Sequence, residues 1–506
     1  VPLPNSEVGL PLNMTKSNRF FEILPGFLSW LTLFLVVFLS WQRPVWIAIF
    51  IILFDIYWLC KSLFLTFHLR ATFSEMKKNL EINWREKLNI FADWKSVYHL
   101  IILPMADEPY EVIEETFKSL ENSNYPKENF IVVLAIEERA GNAAIDSAKR
   151  ISARFGAVLP HFLITRHPAN LPGEIPGKGS NESYAAKEAK EKIIDKLGIS
   201  YEKIIVSVFD IDTQVYPEYF GCLTYNFLTA ENPQRSSYQP IPLFINNIYQ
   251  TPALARVISF SATFWQMMQQ SRPERLTTFS SHAMPFKALT EIGYWQKDIV
   301  SEDSRIFWQC YLHFNSDWRV VPLFYPVSMD ANVAPSFLGT MNNLYKQQRR
   351  WAWGVENVPY LLRGFAENKL IPLRKKIYWA FNSIEGFHSW ATNSLLIFAL
   401  GWLPLLIGKG GFNETVISYN LPEITRIIML FASIGIASSA ILSVILLPPK
   451  PEGIRWRDYF LYLLQWAFLP VTLIIFGVFP ALESQTRLML GGKFRLGFWV
   501  TPKSRG

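Results

Sequence analysis

Five apolar runs, each about as long as a bilayer-crossing helix, set the first constraint on this chain. They fall at residues 24–41, 45–65, 390–407, 427–447 and 459–480. A hydrocarbon core takes about 20 apolar residues per helix. A very short turn, Gln42-Arg43-Pro44, separates the first two runs, so 24–65 reads as a transmembrane hairpin. Lys16, Arg19, Lys61 and Arg70 flank it on one side, which puts both of its ends in the cytoplasm. Residues 1–23 read as a tail, with Met14 an alternative start, and no small-residue cleavage site follows the first run. Five crossings would put the termini on opposite sides, yet Arg487, Lys493, Arg495, Lys503 and Arg505 favour the cytoplasm. Pro470 and Pro480 can break the last run, and the span count stays between four and six. The polar residues Asn382, Glu385, Ser389 and Asn393 share one helical face, either as interfacial packing or as the wall of a conduit.

Between the apolar blocks the texture changes. Short apolar runs at 99–103, 130–135, 161–164 and 203–209 predict buried strands, and 111–120, 142–154 and 181–197 predict helices between them. Such alternation implies a mostly parallel, three-layer α/β domain over 97–330, preceded by a juxtamembrane segment, 66–96. Sheets of this kind bind ligands at the carboxyl ends of their strands. Glu108, Glu137, Glu138, Asp210 and Asp212 all closely follow predicted strands. Residues 331–386 read as amphipathic helices in the membrane interface, 387–482 as further spans and 483–506 as a basic tail. A net charge of +7 is too small to indicate nucleic acid, and three scattered cysteines form neither a metal pattern nor a disulfide framework.

Three polar motifs carry the chemistry. Asp210-Ile211-Asp212 ends a predicted strand, where alternation would point both carboxylates the same way. Such a pair suits a hard divalent ion that also binds phosphates, or simply a solvated turn. Glu302-Asp303 precedes an apolar helical stretch; it is either a helix-start charge or a general base. Gln347, Arg350 and Trp351 share a helical face, and Arg349 adds charge beside them. Arginine can fork onto a diphosphate and tryptophan can stack on a sugar, although a basic interfacial helix with a Trp anchor would look the same.

Together these motifs resemble the membrane-embedded family 2 glycosyltransferases, the group of cellulose, chitin and hyaluronan synthases. The likeness covers about residues 97–360. The Asp-x-Asp motif corresponds to Asp210 and Asp212, and the Thr-Glu-Asp motif appears as Ser301-Glu302-Asp303. Gln-x-x-Arg-Trp is intact at Gln347, Arg350 and Trp351. The stretch from Pro176 to Asn181, containing Lys178, is similar to a nucleotide loop, and His282 to Gly293 resembles an acceptor-side segment. Phe498, Val500, Thr501 and Lys503 resemble an FxVTxK gating loop. The chain departs at His99 and at Glu137-Glu138, where the family often has aspartates.

The resemblance implies a GT-A-type nucleotide-sugar-binding domain inserted between transmembrane helices of a multi-pass membrane protein. Its site would comprise Glu108, Glu137, Lys178, Glu302, Gln347, Arg349, Arg350, Trp351, Thr501 and Lys503 for substrates. Asp210 and Asp212 would hold Mg²⁺ or Mn²⁺, and Asp303 would be the base. The implied donor is a nucleoside-diphosphate sugar, a UDP-sugar first, and the acceptor a carbohydrate or a lipid-linked acceptor. The expected activity is inverting transfer to a growing polysaccharide, processive and with export. The protein would lie in the plasma membrane with its catalytic domain facing the cytoplasm. One alternative is single transfer to a lipid acceptor. Another, of a different class, is a transporter or scaffold with a degenerate nucleotide-sensing domain.

Overall fold

The computed structural model describes residues 16–453, 455–497 and 499. Two helices open the described chain: α1 (Lys16–Gln42) and α2 (Pro44–Glu81). Pro44 starts α2 because its fixed φ and missing N–H suit the first helical position. The second helix runs well past residue 65 and packs its far end under the sheet. There Asn79 donates to the carbonyls of Leu323 and Phe324.

The α/β layer follows, with β1 (Tyr98–Met105), α3 (Tyr110–Glu121), β2 (Phe130–Glu137), α4 (Gly141–Phe155), β3 (His161–His167), α5 (Lys178–Ala189) and β4 (Ile204–Val208). Then come β5 (Gln214–Val215), β6 (Ser236–Phe244), α6 (Ala253–Gln270), β7 (Ala283–Pro285), α7 (Glu302–His313) and β8 (Arg319–Met329). The sheet order is β3-β2-β1-β4-β7-β6-β8-β5. The first four neighbours are parallel, as expected, and β7 inserts antiparallel between β4 and β6. The result is a mixed α/β sheet.

Alternation along β1 and β2 builds the core on both faces. Ile101, Leu103, Val132 and Leu134 pack with Ile113, Phe117, Ile151 and Phe155 of α3 and α4. Leu100, Ile102, Ile131 and Val133 pack with Ala185, Ala186 and Ala189 of α5 and with Ile306 and Phe307 of α7. A strand buried on both faces must read as a continuous apolar run, as these do. His99 belongs to this interior. It is fully buried, bonds Thr224 Oγ1 at 2.9 Å and meets Tyr125 edge-on. Burial pushes its pKa down to about 3, so the ring is neutral and structural.

Beyond the sheet lie α8 (Phe337–Ala352), a helix at Asn357–Glu367, α9 (Leu373–Phe398) and α10 (Val416–Ile445). The last apolar stretch, Trp456–Leu490, ends in α11 (Phe479–Leu490). A π-type turn at Ile474–Val478 precedes Pro480 and accommodates the N–H that proline lacks, so the stretch continues rather than ending there. Among the described residues, four helices are long and apolar enough to cross a membrane. A fifth is possible if α9 and Leu400–Ile407, bent by 50°, form one span. Their outer faces carry large exposed apolar side chains such as Phe34, Leu53, Phe67 and Leu430. The third apolar helix begins at Leu373, ahead of the run expected at 390, because Glu385 is neutralised in place. Its carboxylate pairs with Lys61 of α2 at 3.0 Å and Arg275 at 3.8 Å, and accepts from Ser389. Here the polar face of α9 holds helices together.

Candidate active site

An open cleft lies at the carboxyl ends of β1, β2 and β4, closed on its far side by α7 and α8. It is lined by Glu108, Glu137, Lys178, Asp210, Glu302, Asp303, Gln347, Arg350 and Trp351, all singled out from the sequence. Phe244, Phe279 and Ser280 also line it.

The strand β4 stops at Val208, so Asp210 and Asp212 sit on a turn and do not alternate as a strand would. Asp210 opens into the cleft, accepting from Ser280 Oγ at 2.6 Å. Asp212 turns inward and is fully buried; its Oδ2 accepts from the Asp330 backbone N–H at 2.9 Å. The expectation of strand alternation over 210–212 is therefore corrected: the strand ends at Val208, and of the two carboxylates Asp210 is the one that lines the cleft.

Lys178, the first residue of α5, is the electrostatic centre. Its Nζ lies 2.8 Å from Asp210, 3.5 Å from Glu182 and 3.9 Å from Glu302. Burial works against its charge, but Asp210, Glu182, Glu302 and Asp303 outweigh that and hold its pKa above the ordinary lysine value. Gly179 makes this crowding possible. A Cβ there would meet Gln296 O at 2.8 Å and Glu302 Cβ at 2.9 Å, so only glycine lets α5 approach the start of α7 so closely.

Glu302 and Asp303 open α7. Burial, reinforced by the neighbouring Asp303, pushes Glu302 up to about 8. Burial also raises Asp303, against the pull of Lys178 and Arg350. Asp303 Oδ1 accepts from the Ser304 N–H at 2.7 Å, and its carbonyl accepts from Thr278 Oγ1 at 2.6 Å. Sequence reasoning missed the group that fixes this turn. Glu356, just beyond Trp351, accepts from the N–H groups of Val300 and Ser301, from Ser301 Oγ and from Trp353 Nε1. Arg305 bolts the next turn to Asn357 and the Glu356 carbonyl. No sequence spacing links 301 to 356. Glu182, also missed, lies in the helix predicted over 181–197; the structure begins that helix three residues earlier, at Lys178, which puts the two side chains four residues apart on one face.

On α8, Gln347 Oε1 accepts from Asn332, and Trp351 stands between Phe244 and Phe279 with ring centroids 6.0 Å from each. Arg349 points the other way, to Glu483 of α11 at 2.7 Å, and is not among the cleft-lining residues. Glu137 lines the cleft while gripped by Arg139; Glu138 faces outward to Arg166. Glu108 folds back to accept from the Ala106 N–H at 2.7 Å. Thr501 and Lys503 lie outside the described residues.

Among the described residues no group of three or more His, Cys, Asp or Glu side chains converges as a metal cage. Mg²⁺, however, is commonly held by one or two carboxylates plus substrate phosphates. Asp210 fits that role: an oxygen donor open to the cleft that already holds a cation, the Lys178 ammonium.

A family model described as "Glycosyl transferase family group 2" matches residues 205–481, more than half of the chain. Among solved structures, the mannosyltransferase PcManGT from Pyrobaculum calidifontis, in complex with GDP-Man and Mn²⁺, is similar at 14% identity with a TM-score of 0.38, over 81% of this chain and 98% of that one. A 1–349 portion of TarS from S. aureus, in complex with UDP-GlcNAc, is similar at 12% identity with a TM-score of 0.36, over 77% and 91%. No curated protein sequence matches the chain.

Proposed function

The chain belongs to glycosyl transferase family group 2, and from that premise we propose that it is an inverting membrane glycosyltransferase using a nucleoside-diphosphate sugar. The observation that carries the reading is the meeting of Asp210, Lys178, Asp303 and Arg350 in one cleft at the strand ends, beside the apolar helices.

Asp303 accepts the proton of the acceptor hydroxyl, whose oxygen attacks the anomeric carbon. The bond to the diphosphate breaks, and its electron pair leaves on the phosphate oxygen. Arg350 supplies fixed positive charge where that negative charge develops, and Lys178 stands beside Asp210 at the nucleotide loop. Asp210, with Asp212 buried behind it, would hold Mg²⁺ or Mn²⁺. The bound ion supplies Lewis-acid neutralisation of the diphosphate. Glu137 and Glu108, at the ends of β2 and β1, face the nucleoside. Trp351, with Phe244 and Phe279, forms an aromatic wall suited to a sugar ring of the acceptor.

The acceptor is a growing polysaccharide, and the enzyme is processive. The aromatic wall of Trp351, Phe244 and Phe279 supports this by giving an extended sugar chain a platform to lie on. The protein is integral to the plasma membrane, with the cleft in the cytoplasm, where nucleotide sugars are made. The test incubates purified protein in nanodiscs with a panel of radiolabelled UDP- and GDP-sugars and Mg²⁺ or Mn²⁺, and sizes the product. A long polymer from one donor is expected. A single sugar on a product extractable into organic solvent would replace the polymer reading with the lipid-acceptor one. No transfer from any donor would sink both.

A further inference from the structure

We infer that Lys178 is a resident cation that holds the place of the divalent ion on Asp210, and that Glu182 is the positioning carboxylate that receives it when the ion arrives. The inference rests on the metal-assisted transfer proposed above.

Glu182 is fully buried, and neither carboxylate oxygen receives a hydrogen bond from any described group. Among the described residues its one ion pair is to Lys178, at 3.5 Å. A buried carboxylate without hydrogen bonds is costly, and a single distant cation offsets little of that cost. The resting arrangement therefore leaves Glu182 underused. Lys178 spends its short contact, 2.8 Å, on Asp210. That is the cleft carboxylate suited to a divalent ion, so ammonium and ion compete for it.

The geometry supplies the exit. Glu182 lies one helical turn from Lys178 on α5, so the two side chains share a face. The helix itself cannot give way, because Gly179 is already wedged against Gln296 and Glu302. The lysine stem can. When an ion takes Asp210, closing the Glu182 contact from 3.5 Å to the 2.8 Å now kept with Asp210 satisfies both charges. Glu302, 3.9 Å away, lies along the same path. The site thus trades one cation for another, and its carboxylates never face one another bare.

The test measures Mn²⁺ binding to the full-length protein in detergent by electron paramagnetic resonance, with UDP and, in parallel, GDP. In Glu182→Gln the lysine loses its alternative partner and stays on Asp210. The Kd for Mn²⁺ should rise by about tenfold, while nucleotide binding without metal is unchanged. Adding Lys178→Met removes the competitor and should return Mn²⁺ affinity to near wild type. Equal Mn²⁺ affinity in Glu182→Gln overturns the inference, as does a double variant as weak as the single one. A merely structural Glu182 would instead lower nucleotide binding with and without metal alike. If Glu182→Gln does not fold, Lys178→Met alone decides. Tighter Mn²⁺ binding without nucleotide supports the exchange, and unchanged or weaker binding overturns it. A wild-type protein that binds no Mn²⁺ with either nucleotide fails at the earlier step, and sinks the metal-assisted reading itself along with the inference.

Discussion

The proposed role of Asp303 as base requires a carboxylate ionised in a place that resists ionisation, since burial raises its pKa. Asp303→Asn should lower transfer by at least about 10²-fold while donor binding and folding persist, checked by turnover and by nucleotide titration. The pH dependence follows from the neighbours. As the proposed base, Asp303 would work as its anion, so activity should fall as pH drops through its pKa, which burial has raised and Lys178 and Arg350 pull back down. Arg350→Gln removes one of those cations, and the acid limb of kcat/KM should move to higher pH. An unmoved limb would mean that another group sets it. Glu302 behaves differently. Below about 8 it keeps its proton, and above that it adds negative charge to a cleft meant for a diphosphate. The donor KM should therefore climb above pH 8 in the native protein. In Glu302→Gln, which stays neutral, that climb should be absent.

At the scale of elements, the start of α7 is held from outside. Glu356 accepts four hydrogen bonds around residues 300–301 and at Trp353, tying the base-bearing helix to the segment that follows α8. Glu356→Ala leaves buried donors without an acceptor, at about 1–3 kcal/mol for each such group. Hydrogen exchange at 300–305 should speed up, and turnover should fall with it. Exchange unchanged in that segment would show that Arg305 and Asn357 suffice. Elements of this kind differ in how far they can be read from sequence. The strands β1 to β4 and the helices between them are legible because burial on both faces demands continuous apolar runs. β6 and β8 escape, since Pro240 and Pro242 in one, and Pro322 and Pro326 in the other, are signals against a strand. They pair with one another regardless, with an irregularity between Gln239 and Ile241. The motif residues of the cleft were legible by spacing and likeness. Glu356 was not, because Val300 and Ser301, which it holds, are some 55 residues away in sequence and only the fold brings them close. The inward turn of Asp212 was hidden for a related reason. Where a strand ends is decided by its neighbours, not by its own letters.

Across the whole molecule, the first and last described helices meet around the central motif. Ser29 of α1 donates to Gln485 of α11, and Trp30 donates to Thr486. On the other side of α11, Glu483 binds Arg349 and Tyr345 of α8. Glu483→Ala should loosen α8 and lower the thermal midpoint in detergent, with a larger loss of turnover than of nucleotide binding. Equal losses would make the contact a purely general brace. Exposed apolar side chains along the long helices predict that alkaline carbonate leaves the protein in the membrane pellet. Release into the supernatant would rule out integral insertion. The meeting of α1 and α11 also bears on how the protein comes into being. A ribosome makes α8 before α11, so the helix carrying Arg350 and Trp351 waits for its brace until α11 has followed it. A nascent chain that already contains every cleft residue up to Trp351 is still unfinished as a catalyst. On the proposed function, transfer then starts only once α11 has been made, and a chain stalled or cleaved before residue 479 would consume no nucleotide sugar.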